Sequence, residues 1–107
     1  MRGLRLPKGY VKRDDCNGCG TGWNAKLVPD KIFFVSIKRA CCPHDFGYEI
    51  GVTEEDKIGY DLDLLHNMLL IIENVNRWYY PTRLARIVAL SYYSAVVEHG
   101  DDAFFGE

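Results

Sequence analysis

The sequence predicts an all-α domain with an irregular N-terminal third. Three observations carry that reading. Apolar residues recur at helical spacing from Thr53 to about Tyr79, and a second such pattern begins after Pro81. Residues 1–31 hold Gly3, Gly9, Gly18, Gly20, Gly22, Pro7 and Pro29, a density of turn formers that disfavours regular structure. The chain has 107 residues, 48% of them apolar and 26% charged, which suits one globular domain with a single core.

Ile32-Phe33-Phe34-Val35 is a short apolar run that fits a strand, a helical turn or an exposed apolar lip. A first helix is expected over about 38–50. Pro43 is awkward in its interior, so the helix either starts near Cys41 or Cys42 or kinks at the proline. Gly51 is a stop signal. Thr53 is the expected N-cap of a second helix, with Glu54, Glu55 and Asp56 in its first turn. Ile58, Leu62, Leu65, Leu69 and Ile72 define its buried stripe, widened by Met68 and Val75. Pro81 ends it and Thr82 caps a third helix over 83–99, with Leu84, Ile87, Val88, Ala95 and Val96 toward the core. Gly100 closes that helix, and 101–107 is a tail. No repeat or low-complexity segment is present.

Composition excludes several roles. Net charge is only -2, and Arg2, Arg5, Lys8, Lys12 and Arg13 are dispersed and followed at once by Asp14 and Asp15. No nucleic-acid partner is expected, and residues 1–15 read as a loosely ordered arm. Residues 1–12 lack the apolar run of a signal peptide, and no stretch is long enough to cross a membrane. The protein is expected to be cytoplasmic as synthesised, compatible with later release or virion association. The sequence does not specify an oligomeric state. Four cysteines fit either two disulfides or one metal site.

One carboxylate stands out. At about 100° per residue, Asp61 lies roughly 40° from the centre of the stripe at Leu65, whereas Asp63 points about 160° away. Asp63 is then an ordinary solvated acid. An ionised Asp61 inside an apolar face needs partners. His44 and Tyr48, at i and i+4 on the preceding helix, can supply them if the helices pack antiparallel. Asp61 would then orient the imidazole and raise the basicity of its other nitrogen. The plainer alternative is a satisfied Asp–Tyr pair with His44 as packing.

The ordered set Cys19-Gly20-Thr21-Gly22, Cys41-x-x-His44-Asp45-x-x-Tyr48 and Asp61 resembles the secreted phospholipase A2 superfamily, most of all its short viral and bacterial members. The resemblance covers about Cys16 to Leu70. It implies a phospholipase A2-like fold: a glycine-rich metal loop, two antiparallel helices carrying a His/Asp site, and a third helix. It implies calcium-dependent hydrolysis of a phospholipid acyl ester at a membrane surface. His44 would be the general base, Asp61 would orient it, and Tyr48 would bond to Asp61. Asp45 and the carbonyls of Gly18, Gly20 and Gly22 would hold calcium, a cation that takes hard oxygen ligands. The Gly20 N–H would support the oxyanion, and a Cys19–Cys41 disulfide would tie loop to helix. The sequence departs from the larger secreted enzymes in its sparse cysteines, in Pro43 beside the histidine, and in the 16-residue spacing from Asp45 to Asp61.

Two other classes compete. Cys16, Cys19, Cys41 or Cys42, and His44 have the residue types of a structural zinc module, although that reading leaves Asp61 unexplained. A catalytically inactive member of the same fold would serve as a membrane or protein interaction module, with Ile32-Phe33-Phe34-Val35 docked on a bilayer interface. Trp23 would line a lipid cleft, and Phe104-Phe105 would anchor the tail by packing. Tyr79-Tyr80 and Tyr92-Tyr93 read as packing aromatics of the helices. His66 and His99 are expected at the surface, without catalytic partners.

Overall fold

The computed structural model of the chain describes residues 3–10 and 31–99. Three packed helices follow a small antiparallel hairpin: β1 (Lys31–Ile32), β2 (Val35–Ser36), α1 (Lys38–Ile50), α2 (Glu54–Glu73) and α3 (Thr82–His99). The mainly helical character is the one that the apolar spacing predicts.

The run from Ile32 to Val35 is a two-residue hairpin. Lys31 pairs with Ser36 and Ile32 with Val35, so Phe33 and Phe34 form the turn, both at positive φ (46° and 59°). Two-residue hairpin turns need this backbone to match strand twist and usually take Asn-Gly to reach it. Placing two phenylalanines there costs on the order of 1–3 kcal/mol each. The hairpin is tethered from one side: Ile32 is buried, and the Tyr80 hydroxyl donates to its carbonyl at 2.9 Å.

α1 has the expected limits, and its start is not near Cys41 or Cys42. It begins at Lys38, after Ile37 and without a side-chain cap, and Pro43 lies inside it. The proline forgoes the one helical hydrogen bond that its nitrogen would have made. Gly51 ends the helix, its N–H donating to Gly47 at 2.8 Å.

α2 starts as predicted. Thr53 Oγ1 accepts from the Asp56 N–H at 3.1 Å, and the Asp56 carboxylate accepts from the Thr53 N–H at 3.2 Å, a complete capping box. The helix ends at Glu73 rather than near Tyr79. Asn74 turns its side-chain amide back to the Leu70 carbonyl, and a separate turn closes from Tyr80 N–H to Arg77 O at 3.0 Å. That turn is what buries Tyr80, so Tyr79-Tyr80 is part of a connection and not of a helix.

Contacts between α1 and α2 run from His44 to Asp61 and from Gly47 to Tyr60, so the two helices are antiparallel. The crossing is tight at Gly47, where a β-carbon would lie 2.6 Å from the Tyr60 ring. The core joins Ile32, Ile37, Ala40 and Cys41 to Leu64, Met68, Ile71 and Ile72 of α2, and to Ala85, Ala89 and Val96 of α3. Each large apolar side chain buried here stabilises the fold by about 1.5–3 kcal/mol.

The buried stripes differ from those predicted. On α2, Lys57, Asp61, Leu64, Asn67, Met68, Ile71 and Ile72 face inward, while Ile58 and Leu62 are exposed. On α3, Ala85 and Ala89 let the helices approach closely, and Leu84 and Ile87 are exposed. Residues 3–10, part of the arm expected to be loose, lie against α2. The Arg5 N–H donates to Asn67 Oδ1 at 2.7 Å and Asn67 Nδ2 donates to the Arg5 carbonyl at 2.8 Å. His66 meets the Gly3 carbonyl at 2.8 Å through Nε2, a structural contact. No described helix is long and apolar enough to cross a membrane.

Candidate active site

The site forms where the middle of α1 crosses the first half of α2. His44 and Tyr48 share a face of α1 because they are four residues apart, and their rings stack at 4.2 Å between centroids. Asp61 comes from α2 and is 1% exposed. His44 Nε2 lies 2.8 Å from Asp61 Oδ1, and the Tyr48 hydroxyl donates to the same oxygen at 2.5 Å. The three residues that the wheel argument linked therefore meet.

The third partner of Asp61 was not predicted. Lys57, one turn earlier on α2, donates from Nζ to Oδ2 at 2.7 Å and is itself buried. Burial alone would push the Asp61 carboxyl up. The hydrogen bonds from His44, Lys57 and Tyr48 outweigh that and hold it below the usual carboxylate range. Asp61 is thus a buried anion with each oxygen satisfied.

An ionised carboxylate only accepts, so Nε2 of His44 carries the proton in this bond. In the neutral imidazole the lone pair then sits on Nδ1. Nδ1 is 4.0 Å from Asp45 Oδ1. The two faces of the imidazole are unequal. Pro7, Pro43, Tyr60 and Leu64 border His44 on the side of the arm, and no water-sized space remains there. Asp45, by contrast, keeps about a third of its side chain exposed (34%). The imidazole itself is buried, with 3% of its side chain exposed.

Asp45 is the one described member of the expected calcium set. Gly18, Gly20 and Gly22 lie outside the described residues, as do Cys16, Cys19 and Trp23. Among the described residues no group of three or more His, Cys, Asp or Glu is arranged around a common metal position. Cys41 and Cys42 are both buried and disulfide-bonded. Asp63, expected in solvent, is half-buried and 4.0 Å from Arg5.

Lys57 and Asn67 are the polar residues that sequence reasoning missed. Lys57 stands at i−4 from Asp61, the spacing of a helical ion pair. No comparable local signal marks Asn67, whose partner is 62 residues away. Comparison of the chain with family models, with curated proteins and with solved structures gives no match.

Proposed function

We propose that the protein is a hydrolase that splits an acyl ester of a phospholipid with a water activated by His44. The observation that supports this reading most is the buried Asp61–His44 pair, which sets the proton on Nε2 and leaves the Nδ1 lone pair beside Asp45. In the reaction, Nδ1 takes a proton from water as its oxygen bonds to the ester carbonyl carbon. The tetrahedral oxyanion collapses, the C–O bond to the glycerol breaks, and Nδ1 returns the proton to the leaving alkoxide. The products are a fatty acid and a lysophospholipid. Asp61 offsets the imidazolium charge that forms in between, and Tyr48 holds Asp61 in place.

The fold reading that goes with it is phospholipase A2-like, supported by two antiparallel helices that carry His44 and Asp61. Calcium is the cofactor of that reading. Asp45 fits it: a hard carboxylate, one residue from the base and partly exposed, of the ligand type calcium takes. The carbonyls of Gly18, Gly20 and Gly22 would complete the protein ligands. When bound, the ion would polarise the ester carbonyl and offset the oxyanion charge. A Cys19–Cys41 disulfide would hold the glycine segment to α1. The substrate would be drawn from a phospholipid membrane surface.

Fatty-acid release from mixed phospholipid vesicles tests this reading. Release is expected with calcium, and its loss is expected with a chelator or with Asp45→Asn. Release that is indifferent to both would exclude the metal role. No release from any vesicle would leave Asp61 and His44 as a structural cluster.

A further inference from the structure

We propose that the end of the molecule formed by the hairpin tip and the α2–α3 connection docks on anionic phospholipid bilayers. This extends the lipid-directed reading of the His44 site, and it is tested by binding alone.

Four aromatic side chains crowd this end and remain exposed: Phe33 (41%), Phe34 (54%), Trp78 (95%) and Tyr79 (55%). They form one cluster. Phe34 lies 6.1 Å from Tyr79, and Trp78 meets Tyr79 edge-on at 5.7 Å. Buried Tyr80 anchors the cluster, touching both Phe33 and Phe34 and bonding to the Ile32 carbonyl. The hairpin and the connection thus present their rings as a single pre-set unit. The turn also keeps two phenylalanines in a left-handed backbone that Asn-Gly would adopt without strain. Strain retained at an exposed tip points to a use for the rings outside the fold.

Charge says what the rings meet. The segments around the cluster expose Lys31, Lys38, Arg39, Arg77 and Arg83, with Arg77 over the Phe34 ring at 5.6 Å. The one acid of 31–39 and 73–86 is Glu73, which is bound to Arg86. At the opposite end of the antiparallel pair, residues 49–56 carry Glu49, Glu54, Glu55 and Asp56 and no cation. A chain of net charge -2 therefore has a basic aromatic end and an acidic end. Trp and Tyr partition to the headgroup layer, and basic residues beside them are attracted to anionic lipid. A second copy seated on this end would set two basic collars against each other. Single-stranded nucleic acid would need ring faces spaced along a groove, whereas these rings gather in one cluster at a tip.

The test is flotation of the full chain with vesicles of phosphatidylcholine alone and of phosphatidylcholine with one-third phosphatidylserine. Wild type is expected to float with the second at low salt and to dissociate as salt rises. Trp78→Ala is expected to weaken binding about tenfold, as loss of a buried aromatic predicts. Phe33→Asn with Phe34→Gly separates binding from folding: this hairpin relieves strain, so melting temperature should hold or rise while vesicle binding falls about tenfold. Equal flotation of wild type and both variants, equal binding to the neutral vesicle, displacement by a short oligonucleotide, or self-association lost in the same variants would each overturn the proposal. Flotation without fatty-acid release would instead overturn the hydrolase reading and leave the docking surface standing.

Discussion

At the scale of single residues, Asp61 is the group on which the site depends, and Lys57 is its unforeseen counter-ion. Breaking one side of a buried ion pair costs about 3–5 kcal/mol, because the other charge is stranded. Lys57→Met is therefore expected to lower unfolding free energy by about 3 kcal/mol in a urea titration. Adding Asp61→Asn should restore part of that loss, since the stranded anion is gone. A Lys57→Met protein as stable as wild type would refute the pairing. Acid tests the same carboxylate. Its pKa is depressed in the folded state, so its contribution to stability is full above the unfolded value of about 4 and is lost as pH falls through the lower folded value. Wild type should lose more stability than Asp61→Asn between about pH 5 and pH 2 in parallel denaturant titrations. Parallel curves would contradict the assignment. Asp61 was legible in the sequence because an acid at an apolar register is conspicuous. Lys57 stands at a readable spacing too, but lysine is so seldom buried that the pair reads as solvated.

At the scale of elements, α1 and the start of α2 were readable from punctuation: Gly51, then Thr53 with Asp56 three residues on. The end of α2 was not. Asn74 and the Arg77–Tyr80 turn are fixed by Tyr80 reaching back to Ile32, 48 residues away, and no local pattern encodes that contact. The buried stripe was misplaced for a related reason. Lys57, Asp61 and Asn67 occupy the inward face because they satisfy one another, α1 and the arm. A count of apolar residues instead assigned that face to Ile58 and Leu62, which are exposed. Gly47 is the element-scale constraint. Alanine would ordinarily favour a helix by about 1 kcal/mol, but its β-carbon would overlap the Tyr60 ring. Gly47→Ala is expected to lower stability by about 1–3 kcal/mol, read as a fall in melting temperature. A rise would mean that the helices can separate at no cost. Because His44 stands one turn away, the same substitution should also reduce fatty-acid release.

At the scale of the molecule, the structure joins a satisfied buried triad at the α1–α2 crossing to a basic aromatic end two turns away on α1. The triad was legible as a set of residues; the polarity of the molecule was not, since it arises from segments distant in sequence that fold to one end. The central claim is that His44 is a base and not packing. Fatty-acid release from calcium-loaded vesicles by wild type and by His44→Ala tests it most directly, with both proteins first shown to be folded. The account predicts release by wild type and a loss of at least about a hundredfold in the variant, the contribution of a general base. Equal release by the two proteins would contradict it.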